Sequence, residues 1–115
     1  MSIEVAKKVR FFLERKGFNV SSPGFLKGSS GVEHNFDIVA VKRNRMLCID
    51  IQKNDPYIDC LSAYLKAVDI SEKKVIFVCR KEVQNLIPRD ILDHLDLILY
   101  SDTENLLEKL NEKIQ

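Results

Sequence analysis

The sequence predicts a single α/β domain over residues 1–115, with a central mixed β-sheet flanked by helices on both faces. A chain of 115 residues has the size of one domain. Its content of 45% hydrophobic and 30% charged residues is typical of a globular protein. The apolar runs first follow one another as strands and then alternate with helical patterns. This order, α-β-β-β-α-β-α-β-α, predicts antiparallel strands followed by parallel ones.

The first predicted helix covers residues 3–16, where apolar side chains recur at helical spacing. Gly17 stands where a C-terminal capping glycine belongs. A short strand is predicted over residues 18–20. The segment Ser21–Gly31, with the sequence SSPGFLKGSSG, is rich in Gly, Ser and Pro and predicts a loop.

Two apolar runs then predict a β-hairpin. The run FDIVAV spans Phe36–Val41 and MLCIDIQ spans Met46–Gln52, with the polar turn KRNR between them. The turn is short, so the two strands should be antiparallel neighbours. Counting the register back from the turn can bring Asp37 and Asp50 close together near the open end of the hairpin.

The second half of the chain predicts alternating helices and strands. Helical spacing of Ile58, Leu61, Leu65 and Val68 predicts a helix from Tyr57 to about residue 70. The pattern then predicts a strand over residues 74–79, a helical segment over 82–94 interrupted by proline, a strand over 97–100, and a final helix that begins after Asp102.

Composition limits the class of function. No apolar run approaches the ~20 residues that span a bilayer, and the charged N-terminus is not a secretory signal, so we expect a cytoplasmic protein without membrane contact. The cysteines Cys48, Cys60 and Cys79 are scattered, which argues against a zinc site or a disulfide framework. Residues 1–53 carry ten Lys and Arg against five acids, so a polyanion would prefer this half.

Asp37 and Asp50 are the residues that most strongly indicate chemistry. A carboxylate inside an apolar strand is costly to bury unless it is paired or holds a cation. Side chains alternate along a strand, so Gln52 should share a face with Asp50. Carboxylate and amide oxygens are the hard ligands that Mg²⁺ or Mn²⁺ prefers, and such an ion could activate water for attack on a phosphodiester.

These motifs resemble those of the PD-(D/E)XK nuclease superfamily, and most closely its archaeal Holliday-junction resolvase and type IV restriction-endonuclease branches. The resemblance covers roughly residues 3–80 and implies a restriction endonuclease-like fold with an α-β-β-β-α-β core. It also implies a Mg²⁺- or Mn²⁺-dependent DNA endonuclease, with catalytic residues from the first helix and the hairpin. The matching positions are Glu4, Gly17-Phe18-Asn19-Val20, Ser30-Gly31, Asp37-Ile38-Val39-Ala40 and Asp50-Ile51-Gln52.

The sequence departs from the family pattern at Gln52, where the family usually has lysine. A neutral amide can hold water but carries no positive charge. Lys53 is adjacent, but in a regular strand its side chain faces away from the site. A β-bulge could re-aim it, or another basic residue could supply the charge. The same departure is expected in a lineage that has lost catalysis.

Each candidate also has a structural interpretation. Glu4 is favourable to the helix dipole in a first turn, Asp37 could form a salt bridge at a strand edge, and Gln52 could be solvated. A histidine before Asp37 is either a phosphate contact or a structural residue. The predicted nucleic-acid contacts are Lys7, Lys8, Lys27, His34 and Lys53.

Three hypotheses of function follow from these patterns. The first is a metal-dependent endonuclease acting on DNA, supported by Asp37 and Asp50. The second is a catalytically silent nuclease-like domain that binds nucleic acid or a partner protein, supported by Gln52. The third is a small assembly module that forms a homodimer through the outer face of its last helix.

Overall fold

The computed structural model describes residues 2–70 and 74–115, which form three α-helices, two 3₁₀ helices and seven strands in two sheets. In chain order the elements are α1 (Ser2–Arg15), β1 (Asn19–Ser21), β2 (Gly24–Lys27), β3 (Glu33–Phe36), β4 (Ile38–Lys42), β5 (Arg45–Ile51), α2 (Pro56–Asp69), β6 (Lys74–Arg80), two 3₁₀ helices (Lys81–Leu86 and Arg89–His94), β7 (Asp96–Tyr100) and α3 (Thr103–Ile114).

The main sheet has five strands in the order β1-β4-β5-β6-β7. The pairs β1–β4 and β4–β5 are antiparallel, whereas β5–β6 and β6–β7 are parallel. The predicted mixed sheet is therefore confirmed. Its parallel half follows from the helical connections between β5, β6 and β7, because a parallel neighbour requires a crossover.

Helices cover both faces of this sheet, as predicted. Helices α1 and α3 bury one face through apolar residues such as Val9, Leu13 and Leu110. Helix α2 and the two 3₁₀ helices cover the other face, where Cys48 and Cys79 are buried. Within the described residues, no helix is long and apolar enough to cross a membrane.

Helix α1 ends at the predicted glycine. Gly17 has a φ of +94°, which residues with a side chain rarely adopt. The amide of Phe18 donates to the carbonyl of Leu13 at 3.0 Å, and that of Gly17 donates to the carbonyl of Glu14 at 3.0 Å. These two bonds form a Schellman motif, which stops the helix and directs the buried Phe18 into the core.

The β4–β5 hairpin has the register that the sequence predicts. Its turn consists of two residues, since Lys42 pairs with Arg45. From the turn to the open end, each residue of β4 pairs with one residue of β5 without a bulge, so Ile38 stands opposite Ile49. Asp37 directly precedes β4 and therefore comes next to Asp50.

A second, two-stranded sheet was not predicted. Strand β2 lies inside the segment expected to be a loop, and it pairs antiparallel with β3. Phe36 ends β3 instead of opening the next strand, which begins only at Ile38. Gly24 allows the small sheet to contact Val39 on the α2 side of the main sheet. A glycine that suggests a loop in the sequence therefore belongs to a strand in close contact with the main sheet.

The segment 82–94 is also different from the prediction. It forms two six-residue 3₁₀ helices, not an α-helix. Pro88 lies between them in an extended conformation, and neither helix begins with a side-chain capping bond. Proline lacks an amide donor, so each piece remains too short for a stable α-helical run.

Replacing Gly24 with alanine is expected to destabilise the protein. A Cβ atom there would lie 2.4 Å from Cγ2 of Val39, so the small sheet would have to move away. Overpacking of this kind costs about 1–3 kcal/mol, which urea denaturation measures. The control is Phe25→Ala at the neighbouring exposed position, with an expected change within about 0.5 kcal/mol. Equal losses for the two variants would contradict this account of the contact.

Candidate functional site

Asp37 and Asp50 meet at the open end of the β4–β5 hairpin. The amide of Asp37 donates to Oδ1 of Asp50 at 3.1 Å, and the amide of Ile51 donates to Oδ2 of Asp37 at 2.7 Å. In each bond a carboxylate oxygen of one aspartate accepts from a main-chain amide on the other side of the hairpin end. Both carboxylates are thereby fixed in orientation by the backbone of the opposite strand.

The Asp50 carboxylate is buried and paired with Lys66 of α2. Nζ of Lys66 lies 2.6 Å from Oδ2 of Asp50, and the side chains are 14% and 12% exposed respectively. Burial raises the pKa of the Asp50 carboxyl above its ordinary value of 3.8, while Lys66 and the Asp37 amide oppose this shift. The ion pair therefore offsets part of the cost of keeping a carboxylate in an apolar strand.

Lys66 is held by three groups at once. Besides Asp50, its Nζ donates to the carbonyl of Asn35 at 2.5 Å and lies 4.5 Å from the centre of the Phe36 ring. Both of these partners belong to β3. The small sheet therefore helps to fix the position of a cation beside the two carboxylates.

Lys53 reaches Asp37, contrary to the expectation that it would face away. Strand β5 ends at Ile51, so the alternation of side chains no longer applies two residues later. Nζ of Lys53 lies 2.5 Å and 2.7 Å from the two oxygens of Asp37. The turn is held by Oδ2 of Asp59, which accepts from the amides of Lys53 at 2.8 Å and Asn54 at 3.0 Å.

These groups surround an open groove of about 380 Å³, which we call the hairpin-end groove. It carries both signs of charge, with three carboxylates and two ammonium groups. Among the described residues, no group of three or more His, Cys, Asp or Glu side chains is arranged to hold a metal ion. The lining residues are Asn35, Asp37, Asp50, Ile51, Lys53, Asp59, Ser62, Lys66 and Phe77.

Two of the predicted catalytic residues do not line this groove. The amide nitrogen of the Gln52 side chain donates to the carbonyl of Asn54 at 3.1 Å, and so supports the turn after β5. Glu4 is exposed in the first turn of α1, on the face of the sheet opposite α2. In that position its negative charge is favourable to the helix dipole.

The predicted nucleic-acid contacts are spread over several surfaces. Lys7 and Lys8 are exposed on α1, whereas Lys27 is exposed on the small sheet across the main sheet. Of the predicted basic contacts, Lys53 lines the hairpin-end groove. His34 lies outside the groove and contacts Asp69.

His34 belongs to a structural contact at the end of α2. Its Nε2 lies 2.6 Å from Oδ2 of Asp69, which also accepts from the hydroxyl of Ser30 at 2.7 Å. The amide of Ser30 donates to Oδ1 of Asp69 at 2.9 Å. These bonds, the one from His34 foremost, lower the pKa of the Asp69 carboxyl to about 2. They fix the loop between β2 and β3 against α2.

The sequence interpretation missed Lys66, Asp59 and Ser62. All three lie on α2 with the spacing i, i+3, i+7, which places them on one side of a helix. A polar stripe on a helix that directly follows an acidic strand is a signal that could have indicated them. The partners of Lys66, however, are Asp50 and Asn35, which are distant in the sequence.

Comparisons with known proteins provide no functional assignment. No protein-family model matches the sequence, and no curated protein matches it. The fold is similar to the crystal structure of AF1548, a protein of unknown function, with a TM-score of 0.49 and 13% sequence identity. The alignment covers 92% of this chain and 54% of that one, so the chain spans about half the length of its structural neighbour.

Removing the cation beside Asp50 is expected to destabilise the protein strongly. Lys66→Met leaves a buried carboxylate without its partner, which costs about 3–5 kcal/mol at neutral pH. The folded-state pKa of Asp50, already raised from 3.8, rises further in this variant. Below pH 3.8 Asp50 is protonated in both the folded and the unfolded state, so the variant keeps its full free energy of unfolding. This free energy is then lost as pH rises through the folded-state pKa of Asp50. Denaturation at several pH values measures the effect.

Lys53→Met is the matched control for this experiment. Its ion pair with Asp37 is more open, since the Lys53 side chain is 47% exposed, so its loss should change stability by less than about 1 kcal/mol. An equal loss for both variants, or a Lys66→Met effect that does not depend on pH, would show that Asp50 does not need its partner.

Proposed function

We propose that this chain is a divalent metal-dependent nuclease domain of the PD-(D/E)XK type, which hydrolyses phosphodiester bonds in DNA. The observation that supports the proposal best is the meeting of Asp37 and Asp50 at the edge of an open groove that also contains two lysines. When the small sheet is treated as an insertion, the elements of the main sheet and its flanking helices follow one another as α1, β1, β4, β5, α2 and β6. This order agrees with the α-β-β-β-α-β core that the resemblance implies.

The donor groups in the groove fit a hard divalent cation. Mg²⁺ is usually bound by one or two carboxylates, with waters and substrate phosphate oxygens as further ligands. Asp37 and Asp50 would hold Mg²⁺ or Mn²⁺ through their carboxylate oxygens, and the ion when bound would supply Lewis acidity and a more acidic water. Lys53 is half-exposed, so its ammonium group can leave Asp37 for a phosphate oxygen of the substrate.

Lys66 would supply the positive charge that Gln52 lacks. The resemblance implies a lysine two residues after the second aspartate, where it stabilises negative charge on the phosphate. Here α2 brings an ammonium group to the same carboxylate from the neighbouring layer. The contacts with Asn35 and Phe36 hold this charge in place before a substrate arrives, so little reorganisation is needed.

A catalytically silent binding domain is the second candidate. It is favoured by the pairing of each carboxylate with a lysine from the same chain, Asp37 with Lys53 and Asp50 with Lys66. Such an arrangement is balanced in charge and would be stable without any catalytic role. The side chain of Gln52 also donates to the carbonyl of Asn54 and does not line the groove, so it takes no catalytic position there.

Cleavage of supercoiled, linear and four-way-junction DNA tests the nuclease. We expect cleavage with Mn²⁺ or Mg²⁺ and none with EDTA. Asp37→Asn and Asp50→Asn should abolish it, because each removes a charged ligand. Lys66→Met should lower the rate by about 10²–10³, the usual effect of losing one charge-stabilising group. Glu108→Gln, on the exposed side of α3, is the control and should retain full activity.

The double variant Gln52→Lys/Lys66→Met tests whether Lys66 supplies the positive charge that would stabilise the phosphate. If Lys66 takes the place of the family lysine, a lysine at position 52 should restore part of the activity that Lys66→Met loses. Inactivity of the wild type and of the single variant Gln52→Lys, with Mn²⁺ on every DNA form, would refute the nuclease and leave the binding domain.

DNA binding in EDTA tests the second candidate separately from cleavage. Few phosphate contacts are available, so the affinity should fall with roughly the second to fourth power of salt concentration. Lys53→Met should weaken binding if DNA occupies the groove, whereas Lys7→Gln with Lys8→Gln tests the surface of α1. A gel-shift titration without binding at ~50 mM salt would instead favour a protein partner.

A further inference from the structure

The two lysines of the hairpin-end groove are held to different degrees. The side chain of Lys66 is 14% exposed and is fixed by contacts with β3 as well as by its ion pair with Asp50. The side chain of Lys53 is 47% exposed and is paired with Asp37. An exposed ion pair costs little to break, because water solvates both partners when they separate. Lys66 is therefore a fixed charge, whereas the ammonium group of Lys53 can exchange one anionic partner for another.

The ammonium group of Lys53 contacts both oxygens of the Asp37 carboxylate. Its Nζ lies 2.5 Å from Oδ1 and 2.7 Å from Oδ2, and Oδ2 also accepts from the amide of Ile51 at 2.7 Å. A carboxylate has about four acceptor positions on its two oxygens, so these contacts use most of them. A divalent cation on the same carboxylate would also be repelled by the ammonium group at close range. Lys53 and a cation therefore compete for Asp37.

The charge of the groove depends on what it holds. Its three carboxylates and two ammonium groups give a net charge of −1 when all are ionised. A negative groove is unfavourable for a phosphodiester, whereas a bound divalent cation would change the net charge to +1. The ammonium group that the cation displaces would then be available for a charge-assisted hydrogen bond to a phosphate oxygen. The cation and the phosphate should therefore favour each other's binding.

We propose that Lys53 is a tethered competitor for the cation at Asp37, and that a substrate phosphate ends the competition by drawing the Lys53 ammonium group to itself. Lys53 thereby couples the binding of a divalent cation to the binding of DNA. The ion pair weakens the binding of the cation to the protein alone and so restrains the site until a substrate arrives. This inference rests on the proposed function, because it requires a cation site at Asp37 and Asp50.

Titration of the full chain with Mn²⁺ alone tests the competition, with the paramagnetic resonance signal of free Mn²⁺ as the measurement. Lys53→Met should bind Mn²⁺ about 2–5-fold more tightly than the wild type, a factor that corresponds to the strength of an exposed ion pair. Lys53→Arg keeps the charge and should bind no more tightly than the wild type. Lys81→Met is the matched control, because it removes the same charge at an exposed position outside the groove. Its affinity should equal that of the wild type.

The same titration separates failure of this inference from failure of the proposed function. Asp50→Asn should lose Mn²⁺ binding, and Asp37→Asn provides the same test at the more exposed aspartate, with circular dichroism as the check of folding. Mn²⁺ binding that does not depend on these aspartates, or that is absent in both the wild type and Lys53→Met, would overturn both proposals. Binding that depends on the aspartates but is equal in Lys53→Met and the wild type would overturn the competition alone.

The affinity for DNA measures the coupling from the other side, because coupling between two ligands is reciprocal. The probe is a short fluorescent duplex with phosphorothioate linkages, which resist cleavage, and its binding is followed by anisotropy in EDTA and in Mn²⁺. Mn²⁺ should strengthen DNA binding by the wild type and by Lys81→Met. The gain should be about 2–5-fold smaller for Lys53→Met, which keeps the attraction between cation and phosphate but has no ammonium group to exchange. A gain in Lys53→Met as large as in the wild type would overturn the coupling.

Discussion

A carboxylate buried in an apolar strand must be stabilised by a cation, and much of this structure depends on how Asp50 meets that requirement. The cation is Lys66, which comes from the helix that follows the strand. Its ammonium group is held in turn by the carbonyl of Asn35 and the ring of Phe36. The main sheet, α2 and the small sheet therefore converge on one charge. The hairpin-end groove lies where they meet.

The same contact explains the unusual distribution of residues on α2. Lys66 can reach Asp50 only if the helix lies close to the sheet, and a close approach requires small residues between them. Cys60, Ala63 and Ala67 meet this need. The larger apolar side chains Ile58, Leu61, Leu65 and Val68 lie on the outward side of the helix.

Local patterns in the sequence were sufficient to predict the hairpin and the meeting of Asp37 with Asp50, because a short turn fixes the register of two strands. They were also sufficient for the mixed sheet with helices on both faces. They did not reveal Lys66, whose partner is sixteen residues away in another layer. Strand alternation predicts that Lys53 faces away from the site, but the strand ends at Ile51, so the alternation does not extend to this residue.

Helix α2 presents three different surfaces on successive sides: small residues inward, the polar set Asp59, Ser62 and Lys66 toward the groove, and exposed apolar residues outward. An insertion of one residue near its start would rotate everything after it by about 100°. Polar groups would then move toward the core and apolar ones into the groove. We therefore expect homologous chains to tolerate many substitutions in α2 but almost no change in its length.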